Sequence, residues 1–215
     1  MIAPEPINNR PAERTLDANI LLRLKQETRP QHDAIERVPL LAALFAPHFD
    51  VHAYARLLSA QLHFYRPYEA MLKKYPHIVE QTQWRSKTAL LEADLHALQV
   101  AGLSAQSDAQ VEAVLDHPIR MLGVLYVFEG ATLGGAVIRK HLLRTLGSQI
   151  ADATNFYHCY GEHGGLQWKR FQQLLSETVA QHPEWADDIV FGARMTFISM
   201  TTWFTQFTPQ QSGSV

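Results

Sequence analysis

Two short stretches of this chain carry residues whose types and spacing could do chemistry. In the first, Lys25, Thr28, His32 and Glu36 follow one another at intervals of three and four residues. That spacing stacks side chains on one face of a helix. A neutral imidazole at His32 would find a carboxylate one turn away to orient its ring through one nitrogen, leaving the other nitrogen for a metal. Lys25, two turns earlier, could pair with an anionic group on whatever carries that metal. The set suits an iron-bearing ligand with negative charge at its rim. The same residues would serve equally as a solvated Lys/His/Glu helix face.

In the second stretch, LYVFEGATLGGAVIRKHL at 125–142, Gly130, Gly134 and Gly135 fall within six positions. Each glycine inside a helix costs ~0.5–1 kcal/mol relative to alanine, so the missing side chains must bring something close. Gly130 and Gly134 lie on one face, Ala131 and Gly135 widen the groove on the adjacent row, and Gly123 extends it toward the N-terminus. A flat ligand could lie against that bare backbone. Tight packing of a second helix is the other use of such residues.

Both stretches need long helices to carry them, and the apolar spacing predicts such helices throughout. Ile20, Leu21 and Leu24 lead into His32, Ile35 and Val38, with Pro30 expected to kink or restart the helix and Thr28 placed to cap it. Asp50 caps a long run through Tyr65, with a bend expected at Pro67, and Ser86 opens another. The glycine-marked helix starts at Pro118 and stops at Gly147. A loop-like stretch at 148–165, rich in aromatics, precedes a helix near 166–182 and a last one ending near Phe207. No segment alternates with period two and no fixed-length repeat appears. The expectation is one all-α domain over 17–207, a compact bundle of about seven or eight helices, with frayed tails at 1–16 and 208–215.

Composition narrows the function. Hydrophobic residues make up 47% of the chain, charged ones 19%, and the formal net charge is −2. That composition fits helices enclosing a substantial core or an apolar ligand, and the charge excludes a strongly basic nucleic-acid binder. The single cysteine, Cys159, rules out an internal disulfide and a multi-cysteine metal cluster, which favours a cytoplasmic setting. Neither polar end is expected to cross a membrane. Phosphate-cradling loops, CxxC, HExxH and GxSxG are absent. The chain has twelve glutamates and eleven histidines, yet no Glu-x-x-His pair, which argues against a helical di-iron site.

Taken together, and in this order, the two stretches resemble the heme oxygenase family. Lys25, Thr28, His32 and Glu36 match its proximal pattern, and LYVFEGATLGGAVI matches its distal helix. That helix and FYHCYGEHGGLQWKRF at 156–171 look like the bacterial branch associated with bacteriophytochromes. The resemblance implies heme as both cofactor and substrate, with His32 as iron ligand. Lys25, Thr28, Glu36 and Ala131 would contact the heme, and Gly130, Gly134 and Gly135 would form the distal wall.

The implied reaction uses molecular oxygen and electrons from a ferredoxin or another reductase. It yields biliverdin, carbon monoxide and ferrous iron; Lys25 favours the alpha isomer, and a bacteriophytochrome could accept the bilin. Arg170, with Lys169, is a candidate for the propionates. One departure stands out: many relatives carry an aspartate where this chain has Ala131, so proton delivery must use backbone carbonyls, Thr132 or water. A non-catalytic heme carrier could use the same histidine and cleft.

Overall fold

The computed structural model describes residues 19–101 and 107–207. The two expected tails and part of the polar connection before Ser107 lie outside them. Among the described residues there are nine α-helices and no strand, so the all-α expectation holds. We number them α1 (Ile20–Glu27), α2 (Arg29–Ile35), α3 (Pro39–Ala42), α4 (Val51–Leu72), α5 (Pro76–Thr82), α6 (Lys87–Leu98), α7 (Pro118–Leu146), α8 (Gly164–Gln181) and α9 (Ala186–Thr205). The count exceeds the seven or eight expected because Pro30 divides the first helix in two and α5 forms where no clear periodicity marks it. Pro67, expected to bend its helix, sits inside α4 without ending it.

Local chemistry sets the helix starts. Asn19, Asp50 and Ser86 each accept a backbone N–H with the side chain, satisfying donors that the first turn leaves free. Gly147, with φ +62, ends α7 in a backbone conformation that other residues seldom adopt.

α7 is the central element, and α9 packs along it more extensively than any other helix pair. The crossing is close because Gly123 and Gly192 meet there. A Cβ on Gly123 would lie 2.0 Å from the Ile189 carbonyl oxygen, and one on Gly192 would lie 2.2 Å from that of Arg120. Gly123 therefore belongs to helix packing, which corrects the expectation that it extends a ligand groove. By length and composition α7 could cross a membrane, but half of its most apolar stretch is buried inside the bundle, as befits a core helix.

The aromatic loop after α7 is pinned down by a buried carboxylate. Asp94 on α6 accepts hydrogen bonds from the backbone N–H groups of Asn155 and Phe156, each at 2.8 Å, and from Asn155 Nδ2 at 2.8 Å. Burial still pushes the Asp94 carboxyl upward, against the pull of those three donors. Tyr54 on α4 adds a bond from its hydroxyl to the Ala153 carbonyl at 2.7 Å. These ties bring Phe156 and Tyr157 against α7.

Candidate functional site: a cleft between α2 and α7

The break between α1 and α2 does not scatter the first set of residues. His32 N–H donates to the Thr28 carbonyl at 2.9 Å and Glu36 N–H to the His32 carbonyl at 3.3 Å, so Thr28, His32 and Glu36 remain on one face across the junction. Thr28 is buried and makes no side-chain cap, contrary to expectation; its hydroxyl donates to the Leu24 carbonyl at 2.6 Å and knits the two helices together.

His32 leaves 54% of its side chain accessible, and its ring stands edge-on to Phe197 with centroids 5.6 Å apart. Its Nδ1 lies 3.6 Å from a Glu36 carboxylate oxygen. A carboxylate beside Nδ1 favours the tautomer that leaves Nε2 with a free lone pair, the form in which histidine ligates a metal. Asp33 joins His32 and Glu36 in a cluster whose ligand atoms lie within 4.8 Å of one another, and the two acids surround the imidazole with negative charge.

The glycines of α7 divide by what surrounds them. A Cβ on Gly135 would lie 2.7 Å from the Tyr157 carbonyl oxygen, so this glycine admits the aromatic loop. At Gly130 the nearest atom would be on the Trp168 ring at 3.6 Å, and at Gly134 nothing lies within 4 Å. The protein itself gives those two positions no packing reason to be glycine.

The two walls enclose a cavity of about 920 Å³, within the size range of clefts that bury a small molecule. Lys25, Thr28, His32 and Glu36 line one side, and Gly130, Ala131, Thr132 and Gly135 the other. Phe197, Met200 and Phe204 of α9 contribute apolar surface. The deep end is more polar: Gln61, Tyr65 and Tyr157 reach it, with Gln61 Nε2 donating to the Tyr157 hydroxyl at 3.2 Å. Burial pushes the Tyr65 and Tyr157 phenols well above their ordinary range.

Lys87 also lines the cavity, although it is only 1% exposed. Its Nζ lies 3.4 Å from Glu129 Oε1, 3.2 Å from Cys159 Sγ and 3.4 Å from the Tyr160 hydroxyl, and stands over the Trp84 ring at 4.2 Å. Tyr160 donates its hydroxyl hydrogen to Glu129 Oε1 at 2.9 Å, while Glu129 Oε2 is buried without a partner. Burial raises the Glu129 carboxyl, and the neighbouring Lys87 and Tyr160 pull it back.

Most of the residues singled out in the sequence therefore meet at one cleft. Gly134 is exposed and lies outside its lining, one residue from Gly135, which lines it. Arg170 points elsewhere: it lines a separate recess with Tyr160 and His163, and its guanidinium lies 3.4 Å from Gln83 Oε1. Sequence spacing missed Lys87, Gln61, Tyr65 and Phe197, which reach the cleft from distant helices. Lys87 follows the Ser86 cap and reads as an ordinary first-turn cation.

The donor set and the shape fit a flat, largely apolar macrocycle with a metal at its centre and acids at its edge. One accessible imidazole stands at one wall, α7 forms the other with Gly130 and Gly135 beside Ala131 and Thr132, and Lys25 lines the same cleft. The described residues form an all-helical bundle with a largely apolar cleft between two of its helices. The sequence model of the heme oxygenase family matches residues 18–206, and the chain belongs to that family. It is similar to the heme oxygenase of Xanthomonas campestris pv. campestris (strain 8004), with 28% identity over 165 residues that cover 76% of this chain and 95% of that protein. Its fold is similar to the structure of heme oxygenase from Leptospira interrogans, with a TM-score of 0.69 and 18% identity over 87% of this chain and 99% of that one.

Proposed function

We propose that the chain opens the heme ring oxidatively at the alpha-meso carbon, releasing biliverdin, carbon monoxide and ferrous iron. One observation carries the reading beyond family membership: Gly130 has no packing reason to lack a side chain, and it lines a cleft whose other wall presents an accessible histidine. Bound heme supplies the iron at which dioxygen is activated against the ring. The chain's own residues do the rest.

His32 would ligate the iron, with the Glu36 carboxylate 3.6 Å from Nδ1 biasing the ring's tautomer. Lys25 would pair with a propionate, and that pairing would set which meso carbon reacts. Gly130, Ala131 and Gly135, which line the α7 wall, keep it low enough for close approach of the reacting edge, and Gly134 lies one residue beyond the lining. Phe197, Met200 and Phe204 exclude water from the apolar part of the cleft. Arg170, in its separate recess, is left out of heme binding in this reading. Electrons come from a ferredoxin or another reductase in the cytoplasm, and a bacteriophytochrome is the recipient of the bilin, a reading supported by the branch resemblance of residues 156–171.

The test is to incubate the purified protein with hemin, oxygen and ascorbate and to follow the visible spectrum. Loss of the Soret band with growth of bilin absorption, and alpha biliverdin on chromatography, is the expected result. Intact pigment would point to a carrier; a dominant beta or delta isomer would overturn the role of Lys25.

A further inference from the structure

Among the described residues, the charged side chains along the cleft are accessible or half-buried, except that of Lys87. A buried ammonium is costly unless its three donors are well engaged. Here the engagement is loose. Its two contacts to oxygen, each at 3.4 Å, are longer than the ~2.7–2.9 Å of a charge-assisted bond, and the third is to sulfur, a weak acceptor. Two of the three go to neutral groups, a phenol and a thiol that burial keeps protonated. Glu129, the one counter-charge among those contacts, shares the facing oxygen with Tyr160 and leaves the other without a partner.

The groups around Lys87 come from every element packed on it. They are Glu69 of α4, whose carboxylate accepts the Lys87 backbone N–H; Glu129 of α7; Cys159 and Tyr160 of the aromatic loop; and Arg85, whose guanidinium binds the Cys159 carbonyl. On the α7 wall itself, Ala131 brings no acid, and the Thr132 hydroxyl is committed to the Glu129 carbonyl at 2.6 Å.

We propose that Lys87 is the cleft's internal cation, held by Glu129, Tyr160 and Cys159 at the cavity lining so that its positive field reaches the bound group. It favours whatever form of the bound group carries more negative charge. Glu129 tempers this field. Tyr160 fixes the geometry of the pair. The inference rests on the heme reading above, and it assigns Lys87 a role in positioning charge rather than in ligating iron.

The test is the acid-to-alkaline transition of the ferric heme complex, read from its visible spectrum without turnover. The alkaline form carries one negative charge more than the acid form, so a nearby cation lowers the transition midpoint. K87M should raise it by about half a pH unit or more, K87R should restore it, and E129Q should lower it. Opposite signs for K87M and E129Q distinguish an electrostatic role from general disruption of the cleft, and thermal melts of each variant report whether the fold survives. A K87M midpoint that does not move, in a protein that still folds and binds hemin, or shifts of the same sign in both variants, would overturn the role of Lys87. Wild-type protein that gives no Soret change with hemin would contradict the heme reading instead.

Discussion

Two parts of the same helix use glycine for different ends. Near its start, Gly123 meets Gly192 of α9 so closely that a methyl group on either would drive into a backbone carbonyl. About two and three turns farther on, Gly130 and Gly134 have room for a methyl group and no backbone to accommodate. A glycine that packing demands contributes stability. One that packing does not demand costs ~0.5–1 kcal/mol relative to alanine, and its retention points to something the apo protein lacks.

Alanine substitutions along α7 break or sharpen that contrast. Gly123→Ala should cost the most, about 3 kcal/mol or more, because two helix backbones must part along their main contact. Gly135→Ala should cost less, about 1–2 kcal/mol, since the Tyr157 carbonyl it would strike is farther away, at 2.7 Å against 2.0 Å at Gly123, and belongs to one loop rather than to a second core helix. Thermal and denaturant unfolding of the apo protein would rank them. Equal stability of Gly123→Ala and wild type would contradict the close crossing.

The opposite sign is expected where packing leaves room for a side chain. Gly130→Ala and Gly134→Ala should stabilise the apo protein by ~0.5–1 kcal/mol through helix propensity while slowing ring opening. Gly134→Leu should divert or abolish it with iron ligation partly retained. Destabilisation by Gly134→Ala, or a wild-type yield of bilin from Gly134→Leu, would remove the ligand-side reading of that position.

Much of this contrast was legible in the sequence, and the missing part has a physical cause. Four-residue spacing identified the face shared by Thr28, His32 and Glu36, because helical geometry is local and survives even the break at Pro30. The glycine cluster was visible for the same reason. Which glycine faces a helix, a loop or open space depends on tertiary contacts, so Gly123 was misassigned to the groove. Lys87 was invisible as a site residue. Its burial follows from Glu69, Glu129 and the loop at 159–160, elements distant in the chain that only the fold brings together. Arg170 shows the same limit in reverse, a basic residue in a plausible register that the fold turns toward Gln83.

The central claim is that His32 holds the iron of a heme bound in this cleft, and hemin titration of wild type and His32→Ala tests it most directly. Because His32 is half-exposed, its removal should leave the melting temperature nearly unchanged. The account predicts a saturable Soret shift for wild type and a lost or altered one for the variant, with bilin formation abolished. An identical Soret spectrum from His32→Ala, at the same affinity, would contradict it.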